Sequence, residues 1–485
     1  MLPQRLVARL SLLAPTIRQL METPPEPHTK ATARGHIKAL RTFKNVGFMD
    51  LSDGSGHGTL SVIVSDPGAV FAAHQYKVGQ SVEVTGRWAP SRGRQPFELA
   101  CDTQDPAHGI AVLGDVAPDY PIQKKRHTLA FLRSAPTLRH RTALLSSVLR
   151  MRARAEAAVA AFFLLHDVVK VAPPLITASD CEGAGEQFQV RPLGESTADG
   201  GGGGGFFGTA AYLTVSTQLH LEVLALSLNR VWTLTPCFRA ETSNTPRHLS
   251  EFWMLEAELC YVTSVGQLTA FVEQMVRHVV AHLAAGGEWA AGAQHDLLAA
   301  RHSRDDVARI RAAWAQVLLP APWPSVTYSE ALETLNALKY KGRLQGRLAW
   351  GAPLLTEDEK WLAGCHYQLP VFVTDYPKAQ KPFYMRASGD AARPTVACFD
   401  LLVPELGELV GGSLREHDLA TLEAEMASRG MLRDAMRWYL STRENGSVPH
   451  GGFGMGFERL LAYLAAVDNI RDISAFPRAP NVCAC

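Results

Sequence analysis

An α+β protein in two parts is predicted: a small N-terminal OB-type β-barrel, then a larger domain built on an antiparallel sheet flanked by helices. Three observations carry this. Five short alternating runs, GHIKALRTF, VGFMDLSD, TLSVIVSD, SVEVTGRW and FELACD, lie between about Ala33 and Leu113, separated by Gly, Asp and Ser. Further on, two strand-like runs enclose the polar stretch TSNTP, and GGFGMGFERLLAYLAAV passes from a glycine-rich strand into an apolar helix. The chain of 485 residues, 47% apolar and 20% charged, holds enough apolar material for about two to four domains.

The first 21 residues carry Arg5, Arg9 and Arg18 among Leu, Val and Ile, with no acid before Glu22. That is the pattern of a mitochondrial presequence, and also of an ordinary amphipathic helix. It points to the mitochondrial matrix, with the cytoplasm as the alternative. Pro24, Pro25 and Pro27 close the segment, so residues 1–32 are expected to be presequence and linker.

Residues 33–115 are the expected barrel, a scaffold that commonly holds single-stranded nucleic acid on one face. Phe43 and Phe48 are candidates for base stacking, with core packing as the competing role. Residues 116–144 read as a linker. From Asp119 to Glu156 nine basic residues, from Lys124 to Arg154, occur without a carboxylate between them, a local field that attracts phosphates although the net charge is only +1.

The remainder, 145–485, opens with helical text to about Val169. VVKVAPPLITASD follows as a strand that Pro173 and Pro174 confine to an edge or interface. The tract Gly200–Gly205 is a flexible surface loop and, lacking a following Lys-Ser/Thr, not a phosphate loop. Alternation resumes at AYLTVSTQLHLE. An Ala-rich helical insertion is expected over about 265–325, and a strand pair around VACFDLLVPELGELVGGS. The eight cysteines form no CxxC pair and suit reduced thiols. No run of about 18 apolar residues exists, so no membrane partner is expected.

Two stretches carry chemistry. Arg239, Glu241, Arg247 and Phe252 stand around one polar loop: arginine forks onto phosphate oxygens, glutamate accepts from an exocyclic amine, and phenylalanine offers its face to a purine. A surface hairpin laced with ion pairs competes with this reading. In Gly452-x-Gly454-x-Gly456, glycines permit close backbone approach to a ligand, and Arg459 heads the apolar helix that follows.

FRAETSNTPRHLSEF, GFGMGFERLL, and the helix with VAPPLIT resemble motifs 2, 3 and 1 of the class II aminoacyl-tRNA synthetases. TASDCEGAGEQF, VTDYPKAQKPFYMR, GELVGGSLRE and PHGGFGMGFERLLAYLAAVDNIRDI resemble the asparaginyl members of that class, from about Ala33 onward. The resemblance implies an enzyme that activates asparagine with ATP and Mg²⁺ and transfers it to tRNA-Asn, working as a homodimer with Pro174 at the interface. By the same resemblance Arg239 holds the ATP α-phosphate, Arg247 and Arg459 the outer phosphates, and Glu241 and Phe252 the adenine, with His248 and Gly456 beside them. Asp400 and Glu408 are the implied metal ligands. Ser216, Gln218, Asp375 and His450 surround the amino acid, Glu182 closes over it, and Arg415 reaches its side chain. Arg41, Phe43 and Phe48 are the implied anticodon contacts.

Aspartyl enzymes of the same group typically offer a lysine where this sequence has Leu221. Its absence, with Glu222 beside it, suits an amide. Aspartate facing Glu222 meets a like charge, worth about 4 kcal/mol at roughly 4 Å with an effective dielectric of about 20. An exposed helical glutamate is the competing role for Glu222. The alternatives for the whole chain are an aspartyl enzyme and a non-catalytic RNA-binding paralogue; the latter usually lacks one of the arginines or metal carboxylates retained here.

Overall fold

The computed structural model describes residues 13–65, 71, 75–93, 95–178, 187–193, 206–243, 245–285, 292–339, 347–389 and 392–485. Two compact units result: Met1–Arg150 with Ala284–His302 and Cys485, and Met151–Leu283 with Ser303–Ala484.

In the first unit, β1 (Lys30–Thr42) is long enough to pair twice. Its first half runs antiparallel to β4 (Ser81–Pro90) and its second half to β2 (Val46–Ser52). With β3 (Leu60–Ser65) and β5 (Phe97–Cys101) this closes a five-strand barrel in the order β1-β2-β3-β5-β4-β1, and β6 (Gly109–Gly114) adds to β4. Alternation of side chains sets the inside: Met49, Leu51, Val62, Val64, Trp88 and Leu99 are buried, their neighbours face outward. The expected barrel is therefore present.

Helix α1 (Ile17–Glu22) begins at the Thr16–Gln19 capping box and buries Ile17 and Leu20 in the barrel core. The stretch expected to be presequence thus divides. Residues 1–12 lie outside the described residues, whereas 17–22 are part of the folded unit because their apolar face has a core to join. Phe43 and Phe48 also differ from the core-packing alternative. Phe48 occupies an outward position of β2, Phe43 is 58% exposed, and their rings meet edge to face at 5.9 Å.

Helix α2 (Ala143–Leu165) enters the second unit, whose eight-stranded sheet comprises β7 (Val169–Lys170), β10 (Arg230–Phe238), β11 (Glu251–Cys260), β12 (Ser325–Thr327), β13 (Val371–Thr374), β16 (Cys398–Val403), β17 (Gly407–Leu414) and β18 (His450–Gly456). Short pairs, β8 (Ile176–Thr177) with β9 (Tyr212–Leu213) and β14 (Ala387–Ser388) with β15 (Thr395–Val396), stand apart from it. The sheet order is β12-β13-β16-β17-β18-β11-β10-β7. Its six central strands are antiparallel as expected, but each edge pair, β12–β13 and β10–β7, is parallel, so the sheet is mixed. Only β10 and the two-residue β7 pair at that end; the strand expected through VVKVAPPLITASD is broken, because Pro173 and Pro174 lie between β7 and β8 and belong to neither.

The alternation read over AYLTVSTQLHLE gives strand only at Tyr212–Leu213; after an irregular turn at 214–217, helix α3 (Gln218–Leu228) begins. Buried Glu256 explains the switch, for it accepts from the Thr217 N–H at 3.0 Å and from the hydroxyls of Ser216 and Thr217, turning the chain into the helix. The expected helical stretch contains α4 (Val265–Ala284), α5 (Ala293–Ala300) and α6 (Arg304–Leu318). Of these α5 belongs to the first unit, where Asp296 binds His57 at 2.9 Å and Arg150 at 3.1 Å. Helices α7 (Thr356–Trp361), α8 (Arg437–Glu444) and α9 (Phe457–Ala465) complete the parts used below. Among the described residues no helix is long and apolar enough to cross a membrane.

Candidate active site

Two clusters of functional side chains form on the sheet of the second unit. The first grows from the β10–β11 hairpin, whose connecting loop carries Arg239, Glu241, Arg247 and His248, and whose returning strand carries Phe252. The Arg239 guanidinium lies 5.7 Å from the centroid of the Phe252 ring. Glu241 sits 3.9 Å from Arg239 Nη1 and 4.0 Å from His248 Nε2. Burial, and the charges of Arg459, Arg247 and Arg239, hold the His248 imidazole below its ordinary range against the pull of Glu241. Gly456 is the N-cap of α9, and Arg459 in its first turn donates through Nη1 to the Glu408 carbonyl at 3.2 Å and carboxylate at 3.3 Å. The seven residues expected around the nucleotide line one cavity, and Glu408, expected to serve ATP as well as the metal, lines it with them. Guanidiniums, an aromatic face and a carboxylate in one cavity suit a purine carrying phosphates.

Asp400 on β16 and Glu408 on β17 converge through a bulge at Leu401/Leu402. A Cβ on Gly411 would come within 3.4 Å of both Asp400 Oδ1 and Glu408 Oε1, so glycine leaves room for the two carboxylates to share one space. Lys381 Nζ donates to both Asp400 oxygens, at 2.8 and 3.1 Å. Glu359 from α7 accepts the Glu408 N–H at 3.2 Å. Burial, and then the Glu408 charge, push the Glu359 carboxyl up to about 7. Two carboxylates, hard oxygen donors, that converge on the space left by Gly411 suit Mg²⁺.

The second cluster is fully buried. Glu222 on α3, Glu258 on β11, Arg415 just after β17, Tyr439 and Arg443 on α8 and His450 on β18 meet there. Arg415 donates from Nε and Nη2 to Glu258 at 3.1–3.4 Å and from Nη1 to Ser413 at 2.7 Å. Glu222 accepts from Arg443 at 2.6 Å, Tyr439 at 2.7 Å and Gln218 at 3.0 Å, with His450 Nε2 3.0 Å away. The exposed-glutamate alternative is therefore excluded. Burial favours a neutral Glu222, but Arg443, then His450 and Arg415, override it and hold the carboxyl well below the usual range.

The other expected residues have separate surroundings. Ser216 is bound to Glu256 and receives the Gln218 N–H at 3.2 Å. Asp375 adopts a left-handed φ of 55° and accepts from Thr374 at 2.8 Å and Ser388 at 2.9 Å. Glu182 lies outside the described residues. Pro174 is exposed, whereas Pro173 is buried. On the outside of the barrel Arg41 pairs with Asp50 at 3.0 Å and stands 5.4 Å from the Phe48 ring centre. Sequence reasoning missed Glu256, Glu258, Glu359, Lys381, Tyr439 and Arg443. The four-residue spacing of Tyr439 and Arg443 on one helix face was the available signal for that pair.

Residues 130–480 match the family model for class II tRNA synthetases (D, K and N). The chain is 43% identical over 470 residues to the mitochondrial asparagine–tRNA ligase of Saccharomyces cerevisiae, covering 93% of this chain and 92% of that one. It is 38% identical over 470 residues to the asparagine–tRNA ligase of Microcystis aeruginosa, covering 96% and 98%. Among solved structures, asparaginyl-tRNA synthetase from Pyrococcus horikoshii complexed with asparaginyl-adenylate superimposes with a TM-score of 0.82 at 26% identity, over 98% of this chain and 100% of that one.

Proposed function

The chain belongs to the class II tRNA synthetases of the D, K and N group, and from that premise we propose how its own residues carry out asparagine–tRNA ligation. The enzyme is a ligase that joins asparagine to tRNA-Asn. The observation that carries the choice of amino acid is the buried Glu222 carboxylate beside the Arg415 guanidinium, whose Nη1 and Nη2 each keep a second hydrogen after binding Ser413 and Glu258: an acceptor beside a donor, which is what a primary amide requires.

In the proposed mechanism ATP occupies the cavity with its adenine against Phe252, its amino group donating to Glu241, and its α-phosphate facing Arg239. Arg247 and Arg459 hold the outer phosphates. Asp400 and Glu408 would hold Mg²⁺, which supplies positive charge to the phosphate oxygens when bound. Asparagine places its side chain between Glu222 and Arg415, and Ser216, Gln218, Asp375 and His450 orient its ammonium and carboxylate. The carboxylate oxygen forms a bond to the α-phosphorus as the bond to the β-phosphate oxygen breaks, and pyrophosphate leaves. The nucleophile is already ionised, so no protein base is needed, and catalysis is positioning together with neutralisation of charge by the arginines. A hydroxyl of the terminal tRNA adenosine then takes the asparaginyl group from the adenylate, releasing AMP.

The barrel of residues 33–115, joined through 116–144 to a catalytic domain of 145–485 with the helical stretch 265–325, is the proposed anticodon-binding module. Arg41, Phe43 and Phe48 on its outer surface support this. The homodimer is proposed to form through the surface that includes the exposed Pro174, between β7 and β8. The basic leader supports the mitochondrial matrix as the compartment. ATP–pyrophosphate exchange with asparagine and with aspartate separately tests the central claim. Exchange with asparagine alone is expected, and exchange with aspartate alone would overturn it.

A further inference from the structure

Glu222 divides its two oxygens between different tasks. Oε2 accepts from Arg443 Nη2 at 2.6 Å and the Tyr439 hydroxyl at 2.7 Å, and faces His450 Nε2 at 3.0 Å. Oε1 accepts from Gln218 Nε2 at 3.0 Å, and Arg415 Nε stands 3.9 Å off. A carboxylate oxygen accepts two hydrogen bonds, so Oε1 retains an open lone pair. On Arg415, Nη1 is bound to Ser413 and Nη2 to Glu258, and each nitrogen carries a second hydrogen. The open positions are thus one acceptor and two donors.

That pattern matches an amide only while Glu222 is an acceptor. If protonated, it gains an O–H donor, and an aspartate carboxylate is then received by Arg415 and Glu222 together. The charges around Glu222 decide between these states. Arg443 and Tyr439 face it from α8, His450 from β18, Arg415 from the end of β17, and Glu258 and Cys260 from β11. Two carboxylates, Glu222 and Glu258, stand against two guanidiniums, and Arg415 is committed bidentately to Glu258. Arg443, itself fully buried as a side chain, is the guanidinium left to bind Glu222 directly, with His450 beside it. Without it the strongest of the charges that oppose burial of the Glu222 carboxylate is gone, and burial with the nearby Glu258 charge favours the protonated form.

We propose, on the asparagine reading above, that Arg443 is a positioning residue for amino-acid selection: with Tyr439 it binds Oε2, fixes Glu222 as an acceptor with Oε1 turned to the substrate side chain, and so makes the site choose an amide over a carboxylate. It touches neither the nucleotide nor the reacting atoms. Its effect runs through Glu222.

The test is ATP–pyrophosphate exchange with asparagine and aspartate between pH 6 and 8.5, using the full chain and Arg443→Met, Arg443→Lys and Tyr439→Phe. For Arg443→Met the asparagine-to-aspartate ratio of kcat/KM should fall by about 10- to 100-fold near pH 6, the span carried by one hydrogen bond to a charged group, and recover as pH rises and Glu222 loses its proton. Arg443→Lys should restore most of the ratio, and Tyr439→Phe should lower it by about threefold, in keeping with one neutral donor. An unchanged ratio in Arg443→Met at every pH, whatever its overall rate, overturns the proposal. If that variant does not fold by circular dichroism, an unchanged ratio in Tyr439→Phe overturns it instead. Wild-type exchange with aspartate alone, or with neither amino acid, would be a failure of the asparagine reading and is distinct from both.

Discussion

Glu359→Gln is the perturbation whose size the structure fixes best. The Glu359 carboxyl accepts the Glu408 N–H and is pushed from 4.5 to about 7 by burial and by Glu408. Because its folded value lies above its unfolded one, its contribution to stability is complete below about pH 4.5 and is lost as pH rises through about 7. At pH 8 the fold then holds a half-buried carboxylate at a cost of about 3 kcal/mol, which a neutral glutamine removes while still accepting from Glu408. For a unit of about 300 residues that corresponds to roughly 5 °C in melting temperature. Calorimetry of the full chain in EDTA should show the variant melting higher by about that amount at pH 8 and within about 1 °C of wild type at pH 5. Mg²⁺ should narrow the gap at pH 8, because a cation beside Asp400 and Glu408 relieves the same crowding. Equal shifts at both pH values, or a less stable variant at pH 8, would refute the account.

Three further outcomes follow from the same geometry. Phe43→Ala and Phe48→Ala should each raise the KM for tRNA by roughly 5- to 100-fold, the range of one lost base stack, while leaving pyrophosphate exchange unaltered; a change in exchange would place these rings in another role. Asp400→Asn should raise the Mg²⁺ concentration for half-maximal exchange by about tenfold or more, through loss of an anionic ligand, and this is read from a metal titration. Glu241→Ala should lower kcat/KM for ATP by about 10- to 100-fold, since an amine that donates to a charged acceptor loses its partner, with KM for asparagine unmoved in the same assay.

The barrel was legible because alternation by itself assigns faces, and strands such as VGFMDLS bury every second residue. The residues of the first cavity were legible because a single hairpin loop carries most of them. Alternation misled at Ala211–Glu222, where Glu256, distant in sequence, captures Ser216 and Thr217 and starts a helix. It also gave no sign that the edge strands pair in parallel, which depends on what lies between them. The buried cluster around Glu222 was only half legible for a related reason: Arg415 meets Glu258 across 157 residues, and Arg443 meets Glu222 across 221, separations at which no local pattern operates.

The glycines of β18 show how such distant pairs leave a local trace. Their spacing suggests close approach to a nucleotide, and Gly456, which caps the helix carrying Arg459, lines the cavity proposed for it. Gly452 has a different cause: a Cβ there would lie 2.0 Å from Glu258 Oε2 and 2.3 Å from the Ala257 carbonyl oxygen. The missing side chain makes room for the protein's own carboxylate, the one that engages Arg415. Any side chain at 452 displaces Glu258, frees Arg415 to turn toward Glu222, and closes the acceptor on which amide selection depends. One seven-residue strand therefore lies against both proposed substrate sites, its C-terminal end lining the cavity with Arg459 and its N-terminal end leaving space for the carboxylate that binds Arg415.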